Sequence, residues 1–370
     1  MSTTTVQLDT LQLSAINPRD ALLARLKGQP AHIPDLKPIF ADWRGISHRH
    51  ISLWVDQLRE KVKTRLQGFN FHQAKQERLE AADFGLFTAL WWPDASLEKL
   101  QILAYLVIWL FTWDDEIDEP TGSYSEDFDG AQTYREHTLR FVGSSLGLRA
   151  VEADFHPLNP IVQSFDVIGS ALRSAYDVDQ RRRFYDEIAR FMLASEEEQK
   201  GRLRGQIPTL EGYWQFRLGT SAVYIGTAAG EYSISSHLPA ELMHSKPMQA
   251  IWDETNVIIS ITNDLLSLRK EMKLGCIDSI VPLIFATTSD VRRAMDEAVD
   301  ALRRSKYRFD EAAKDLLDGI SEDDLLQERV ESFIEVQRSN CVGNLMWSLE
   351  TQRYSMSKLI SDDGSQQFIL

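Results

Sequence analysis

Residues 102–118 read ILAYLVIWLFTWDDEID, and the fold turns on how that stretch is interpreted. From Ile102 to Trp113 only Thr112 interrupts the apolar run, with Lys99 before it and Asp114, Asp115 and Glu116 behind it. It is well short of the roughly 20 apolar residues needed to cross a bilayer, so it predicts a buried helix and not a span. A helix that is apolar on every side must be surrounded by other helices. The stretch holding Val257, Ile258, Ile259 and Ile261 repeats the pattern, so the chain has the interior of a bundle.

Outward from these two cores, apolar residues recur at three- and four-residue steps. The spacing predicts helices over Leu97–Asp118, Phe165–Tyr176, Gln180–Glu198, Leu210–Tyr232, Pro247–Lys273, Asp290–Leu317 and Leu325–Tyr354. No run alternates apolar and polar residues between hairpin turns, so the fold class is all-α. Pro120 with Gly122, Pro208, and Gly275 supply the expected breaks. No glycine- or serine-rich linker divides the chain and no repeat is visible. The expected organisation is one domain over residues 35–355, with a loosely ordered segment at 1–34 and a loose tail at 356–370.

Composition narrows the function. With 43% hydrophobic and 26% charged residues, the chain is an ordinary globular one. Its two cysteines, Cys276 and Cys341, are too few for a disulfide scaffold or a zinc-cysteine cluster, which makes a reducing compartment, the cytoplasm, the expected location. Met1–Asp9 is polar and lacks the apolar core of a secretory signal. A net charge of −15 argues against nucleic acid as a partner. An anionic ligand would require metal ions, or a few well-placed Arg and Lys, to invert the local potential.

Two constellations carry that possibility. Asp114 and Asp118 are four residues apart at the end of the buried helix, so their carboxylates leave one face. Like charges so placed, at the negative end of the helix dipole, are unfavourable unless a hard cation neutralises them. The alternative is a solvated acidic helix end, as Asp323-Asp324 and Asp362-Asp363 look to be. Asn263, Ser267 and Glu271 follow at i, i+4 and i+8, an amide, a hydroxyl and a carboxylate in one row. Such a low-charge site would hold a cation weakly until an anionic ligand completed its shell. The alternative here is a polar stripe facing solvent, set against the apolar neighbours Leu265, Leu266 and Leu268.

An aspartate-rich motif of the DDxxD type followed by NDxxSxxKE on a later helix resembles the class I terpene synthases, specifically the single-domain fungal-type sesquiterpene cyclases. The resemblance covers roughly residues 80–355 and implies a helical bundle around a central active-site cavity. It implies three Mg²⁺ ions, with Mn²⁺ able to substitute, held by Asp114, Asp118, Asn263, Ser267 and Glu271 on a prenyl diphosphate. Arg217, 46 residues before Asn263, is similar to the family's diphosphate sensor, with Gly219, Thr220 and Ser221 behind it as a weak point in the helix. Arg353-Tyr354 resembles the C-terminal RY pair, Lys270 a further diphosphate contact, and Trp347 a cavity aromatic. On this resemblance the catalytic residues are Arg217, Trp347 and Tyr354.

Aromatic faces stabilise a carbocation without supplying a lone pair to trap it. Phe87, Trp91, Phe111, Trp113, Tyr213, Phe216, Tyr224 and Trp347 lie near the motifs in sequence, each with plain core packing as its alternative. The loops Glu119–Gln132 and Leu274–Ser279 are the candidates to close over substrate. The resemblance implies ionisation of farnesyl diphosphate and closure of the cation to a sesquiterpene hydrocarbon or alcohol, by a monomer or homodimer. A prenyl diphosphate synthase is the rival enzyme, but Asn263-Asp264-Leu265-Leu266-Ser267 stands where that enzyme carries a second aspartate-rich motif. The other rival is a catalytically silent helical protein that binds metal or diphosphate. No DxDD sequence supports protonation-initiated cyclisation.

Overall fold

Long helices form where the three- and four-residue apolar spacing runs, in a computed structural model that describes residues 17–46, 50–150, 155–320 and 322–370. The first half holds α1 (Pro18–Leu26), α2 (Val55–Gln67), α3 (Gln73–Ala81), α4 (Phe84–Trp91), α5 (Leu97–Asp118), α6 (Phe128–Ser145), α7 (Pro160–Gln163), α8 (Phe165–Ala175) and α9 (Val178–Leu203). The second half holds α10 (Leu210–Thr220), α11 (Val223–Ala228), α12 (Gly230–Ile234), α13 (Ala240–Met243), α14 (Lys246–Leu274), α15 (Ile280–Thr288), α16 (Val291–Asp318) and α17 (Asp324–Glu350). Among the described residues no helix is long and apolar enough to cross a membrane.

The helix α5 has the bounds its apolar run predicts, starting behind the Ser96 cap. Helix α14 is stopped by Gly275, which takes the left-handed conformation (φ 76°) that glycine adopts without strain. This helix packs against α16 and α17, and α4 is held between α17 and α2. Ile258, Ile261, Leu265 and Leu268 of α14 are fully buried. Each contributes roughly 1.5–3 kcal/mol of transfer free energy relative to exposure.

The expected single helix over Leu210–Tyr232 is instead three pieces, α10, α11 and α12. The break falls at Ala222, whose φ of 57° no right-handed helix can contain. Side chains meet the backbone groups it frees. Asn256 of α14 donates from Nδ2 to the Leu218 carbonyl (2.7 Å), and Ser221 Oγ donates to Asn256 Oδ1 (2.7 Å). Gly219, expected to weaken the helix, lies inside α10, and a Cβ there would stand 2.3 Å from the Ala194 Cβ of α9. Its smallness serves close helix packing.

The ends are also better held than the sequence suggests. Strand β1 (Pro30–Ile33) pairs antiparallel with β2 (Gln366–Ile369), Pro30 opposite Ile369 and Ile33 opposite Gln366. Ile33 and Phe368 are buried, and Leu22 and Leu26 seat α1 on the bundle. Four-residue strands are too short for their alternation to be legible, so the all-α reading omits this ribbon. For residues 17–34 and 356–370 a loose segment is therefore corrected to a clasp between the two ends of the chain.

A close approach of α17 to α4 sets one wall of the interior. A Cβ on Gly343 would lie 2.7 Å from the Leu90 carbonyl oxygen, which is backbone and cannot rotate away. Gly343→Ala should therefore destabilise the fold by about 1–3 kcal/mol, seen as a melting temperature several degrees lower. An unchanged melting temperature would show that α17 and α4 are not so closely packed.

Candidate active site

The last turn of α5 divides its acids between two surroundings. Asp114 and Asp118 line an interior cavity of about 270 Å³. Neither carboxylate has an ion-pair or hydrogen-bond partner among the described residues. Burial pushes the Asp114 carboxyl well above the usual carboxylate range, and the neighbouring Asp118 and Asp115 charges add to it. Burial likewise raises Asp118. Asp115, one residue on and nearly fully buried, pairs with Arg353 (3.2 Å) and Arg78 (3.4 Å). Glu116 faces away, bonded to Lys75 and to the Ser123 amide (3.3 Å).

Across the cavity, α14 presents Asn263, Ser267 and Glu271. Ser267 Oγ donates to Glu271 Oε1 at 2.5 Å. Burial, then the nearby Asp264 charge, pushes the Glu271 carboxyl up. The amide of Asn263 joins three elements: its Oδ1 accepts from Arg217 Nη2 (2.8 Å) and its Nδ2 donates to the Tyr354 hydroxyl (2.8 Å). Asp264, also at the cavity wall, is nearly fully buried. It pairs with Arg217 (2.8 Å), accepts from the Tyr213 hydroxyl, and accepts from the Ile280 amide (2.7 Å). Burial works against the Arg217 charge, yet Asp264, Tyr213, Glu198 and Glu271 together outweigh it and raise the guanidinium pKa. Arg353, raised in the same way by Asp115, stacks 5.0 Å over the Phe111 ring. Lys270 pairs with Glu119 (2.9 Å).

The sequence-predicted residues thus come together from four elements: α5, α10, α14 and the turn that follows α17. The expected aromatics do not all join them. Phe87, Trp91, Phe111 and Trp347 line the cavity in one connected group, with Phe87 centred 4.5 Å from Trp91 and 5.0 Å from Trp347. Trp347 is fixed by its Nε1 donating to the Ala82 carbonyl (2.8 Å). Trp113 is corrected to a core residue, stacked on Tyr134 at 5.1 Å and donating to Thr138 (2.9 Å). Tyr213 is corrected to a buried support of Asp264, and Phe216 and Tyr224 line a separate groove outside α9. That groove is larger, about 1470 Å³, but it holds neither Asp114 nor Asn263, so the smaller cavity is the candidate site.

Several cavity residues escape the sequence reading: Trp92, Phe191, Glu198, Arg202 and Asp278. Glu198 is raised well above the carboxylate range by burial and by Asp118. It hides in the run Glu196-Glu197-Glu198, which resembles a solvated face. The signal that could find it is spacing, since position 198 continues the buried series Phe184, Ile188, Phe191 and Ser195.

The donor set suits a hard divalent cation: carboxylate, amide and hydroxyl oxygens, with buried acids that lie near Arg202, Arg217, Lys270 and Arg353 but form no ion pair with them. Among the described residues, no three His, Cys, Asp or Glu side chains converge closely enough to hold an ion alone. The arrangement is open, and a ligand oxygen would have to complete it.

Comparison with known proteins agrees with this geometry. The model for terpene synthase family 2, C-terminal metal binding, matches residues 105–306. The sesquiterpene cyclase hepA of Aspergillus oryzae is 36% identical over 95% of this chain and 96% of its own length. The silphinene synthase peniA of Penicillium patulum is 30% identical over 75% of this chain and 73% of its own. Among solved structures, α-eudesmol synthase superposes with a TM-score of 0.71 at 20% identity, covering 81% of this chain and 96% of that one. A variant of cucumene synthase gives 0.70 at 18% identity, covering 82% and 97%.

Adjacent residues of the second motif should behave differently on truncation. Asp264→Ala removes the ion-pair partner of the largely buried Arg217 and the acceptor of Tyr213 and the Ile280 amide, and should lower folding stability by about 3 kcal/mol. Asn263→Ala removes two hydrogen bonds at the cavity surface and should lower it by about 1 kcal/mol. Urea unfolding of both variants measures the difference, and equal midpoints would contradict the structural role given to Asp264.

Proposed function

The chain belongs to terpene synthase family 2 and is a class I terpene synthase, and from that premise we propose that it is a magnesium-dependent cyclase of farnesyl diphosphate. One observation carries the proposal. Two oxygen donor sets, Asp114 with Asp118 and Asn263 with Ser267 and Glu271, whose carboxylates have no ion-pair partner among the described residues, flank one aromatic-walled cavity. Mg²⁺ ions bound by these residues, three on the family pattern and replaceable by Mn²⁺, supply the positive charge that holds a diphosphate and stabilises its departure.

The protein's own cations act beside them. Arg217, Lys270 and Arg353 sit at the cavity in pairs with Asp264, Glu119 and Asp115. A diphosphate entering there competes for the same donors, so its binding rearranges pairs that already exist. Arg217 presents a planar fork to two oxygens, and the Tyr354 hydroxyl, held by Asn263, adds a further donor. These interactions strengthen as charge builds on the departing diphosphate, which is how they lower the barrier.

Below the acids, Phe87, Trp91, Phe111 and Trp347 present ring faces to the prenyl chain and stabilise positive charge along it. The segments Glu119–Gln132 and Leu274–Ser279, which contribute Glu119, Leu274, Cys276 and Asp278 to the cavity lining, are those that would exclude water when substrate is bound. The resemblance of the whole chain to a fungal sesquiterpene cyclase supports the farnesyl over the shorter geranyl and longer geranylgeranyl diphosphate.

Incubation with each of these three diphosphates and Mg²⁺, with diphosphate release and volatile products measured, tests the reading. The farnesyl substrate should give cyclic products, EDTA should abolish them and Mg²⁺ restore them. Arg217→Lys keeps the charge but loses the fork, so it should lower kcat by about 100-fold or more with a much smaller change in KM. Turnover unaffected by EDTA would overturn the metal dependence, and a normal kcat for Arg217→Lys would remove that residue from the diphosphate site.

A further inference from the structure

One inner face of α17 carries polar side chains where an apolar bundle offers them little. Gln337, Asn340, Asn344 and Ser348 follow at steps of three and four residues, and all are nearly fully buried. Asn340 has a structural role, since its Nδ2 donates to the Trp91 carbonyl (3.0 Å) and so joins α17 to the end of α4. Asn344, one turn further on, lines the cavity and is 4% exposed, and its Nδ2 has no hydrogen-bond partner among the described residues. The same junction holds the Trp91 and Trp92 indoles, which line the cavity and whose Nε1 groups also lack partners.

Unpartnered polar atoms in a buried wall are costly, and buried water is the usual way of satisfying several of them at one place. Depth matters here. Asn344 precedes the end of α17 at Glu350 by six residues, about 9 Å along the axis at the α-helical rise. Arg353 and Tyr354, beside the acids, lie beyond that end. Water held by Asn344 is therefore remote from the carbon that first ionises and close to the walls around the coiled prenyl chain.

We infer that Asn344 positions a water molecule that captures the final carbocation, so that the enzyme releases a terpene alcohol. The inference rests on the cyclase reading and assigns its last step. A lone pair of the water oxygen forms the C–O bond to the cationic carbon. The resulting oxonium loses its proton to the diphosphate already released, so no oxidant or reductant is required. An apolar wall at this position would leave deprotonation to a hydrocarbon as the only ending. The remote placement of the water explains how a site that must exclude water from the early cation can use one at the end.

The test is a product analysis in buffer made with oxygen-18 water, with farnesyl diphosphate and Mg²⁺. The wild-type enzyme should give a main product two mass units heavier than in ordinary water. Asn344→Leu, similar in size and apolar, should lower the ratio of oxygenated to hydrocarbon products by about ten-fold or more. Asn344→Ser, which keeps a hydroxyl, should retain most of that ratio. Diphosphate release by the wild type with hydrocarbons as its products overturns this inference and leaves the cyclase reading intact, even if neither variant folds. An unchanged ratio in Asn344→Leu overturns the role of Asn344 alone. No diphosphate release from any prenyl diphosphate by the wild type overturns both.

Discussion

Everything around the cavity answers to one electrostatic constraint: carboxyl groups crowd a poorly solvated interior with no cation among the described residues in ion-pair contact with them. Asp114 and Asp118 on one wall face Glu271 on the other, and burial raises the pKa of each. Such an arrangement is unfavourable for folding, since moving carboxylates out of water raises their energy unless a partner is supplied. Nearby acids show what the protein does when charge is only structural. Asp115, Glu119 and Asp264 each have a cation within ion-pair distance. The unpaired set is the part of the sequence that asks for a ligand.

The second organising feature is the Asn263 amide. Through Arg217 it is tied to α10, and through Tyr354 to the turn after α17, while its backbone belongs to α14. The break at Ala222 follows Arg217 by less than two turns of chain, and Asn256 of α14 caps it. An arginine drawn toward a new anion would thus pull on a helix that is already interrupted and on an amide that already holds the C-terminal turn. On the proposed reading, ligand binding, positioning of Tyr354 and closure of the mouth share one set of hydrogen bonds. This differs from a picture in which diphosphate finds free cations waiting, because Arg217, Lys270 and Arg353 are all paired before it arrives.

Much of this architecture is legible in the sequence, and the parts that are not have physical reasons. The bounds of α5 follow from an apolar run broken only at Thr112, and both donor sets follow from side chains spaced by one helical turn. The three-way break of Leu210–Tyr232 is hidden because Ala222, which takes the left-handed backbone, is a good helix former, and the break is sustained by Asn256, distant in sequence. Proximity in sequence misplaces Trp113, since successive helical residues point in different directions and the neighbour of Asp114 faces Tyr134 in the core. Glu198 is hidden by the opposite effect, a functional-looking position inside a run of like residues. The ribbon between the chain ends depends on pairing residues more than 300 positions apart (366 − 33 = 333), which no local pattern encodes.

The central claim is that this cavity is an incomplete cation site that a diphosphate completes. Thermal unfolding of the purified protein measures it directly, with Mg²⁺ alone, inorganic diphosphate alone, and the two together. The account predicts little change for either alone and a rise of roughly 5 °C for the pair at concentrations well above binding, lost in Asn263→Ala. The full rise with Mg²⁺ alone, or its persistence in Asn263→Ala, would contradict the account.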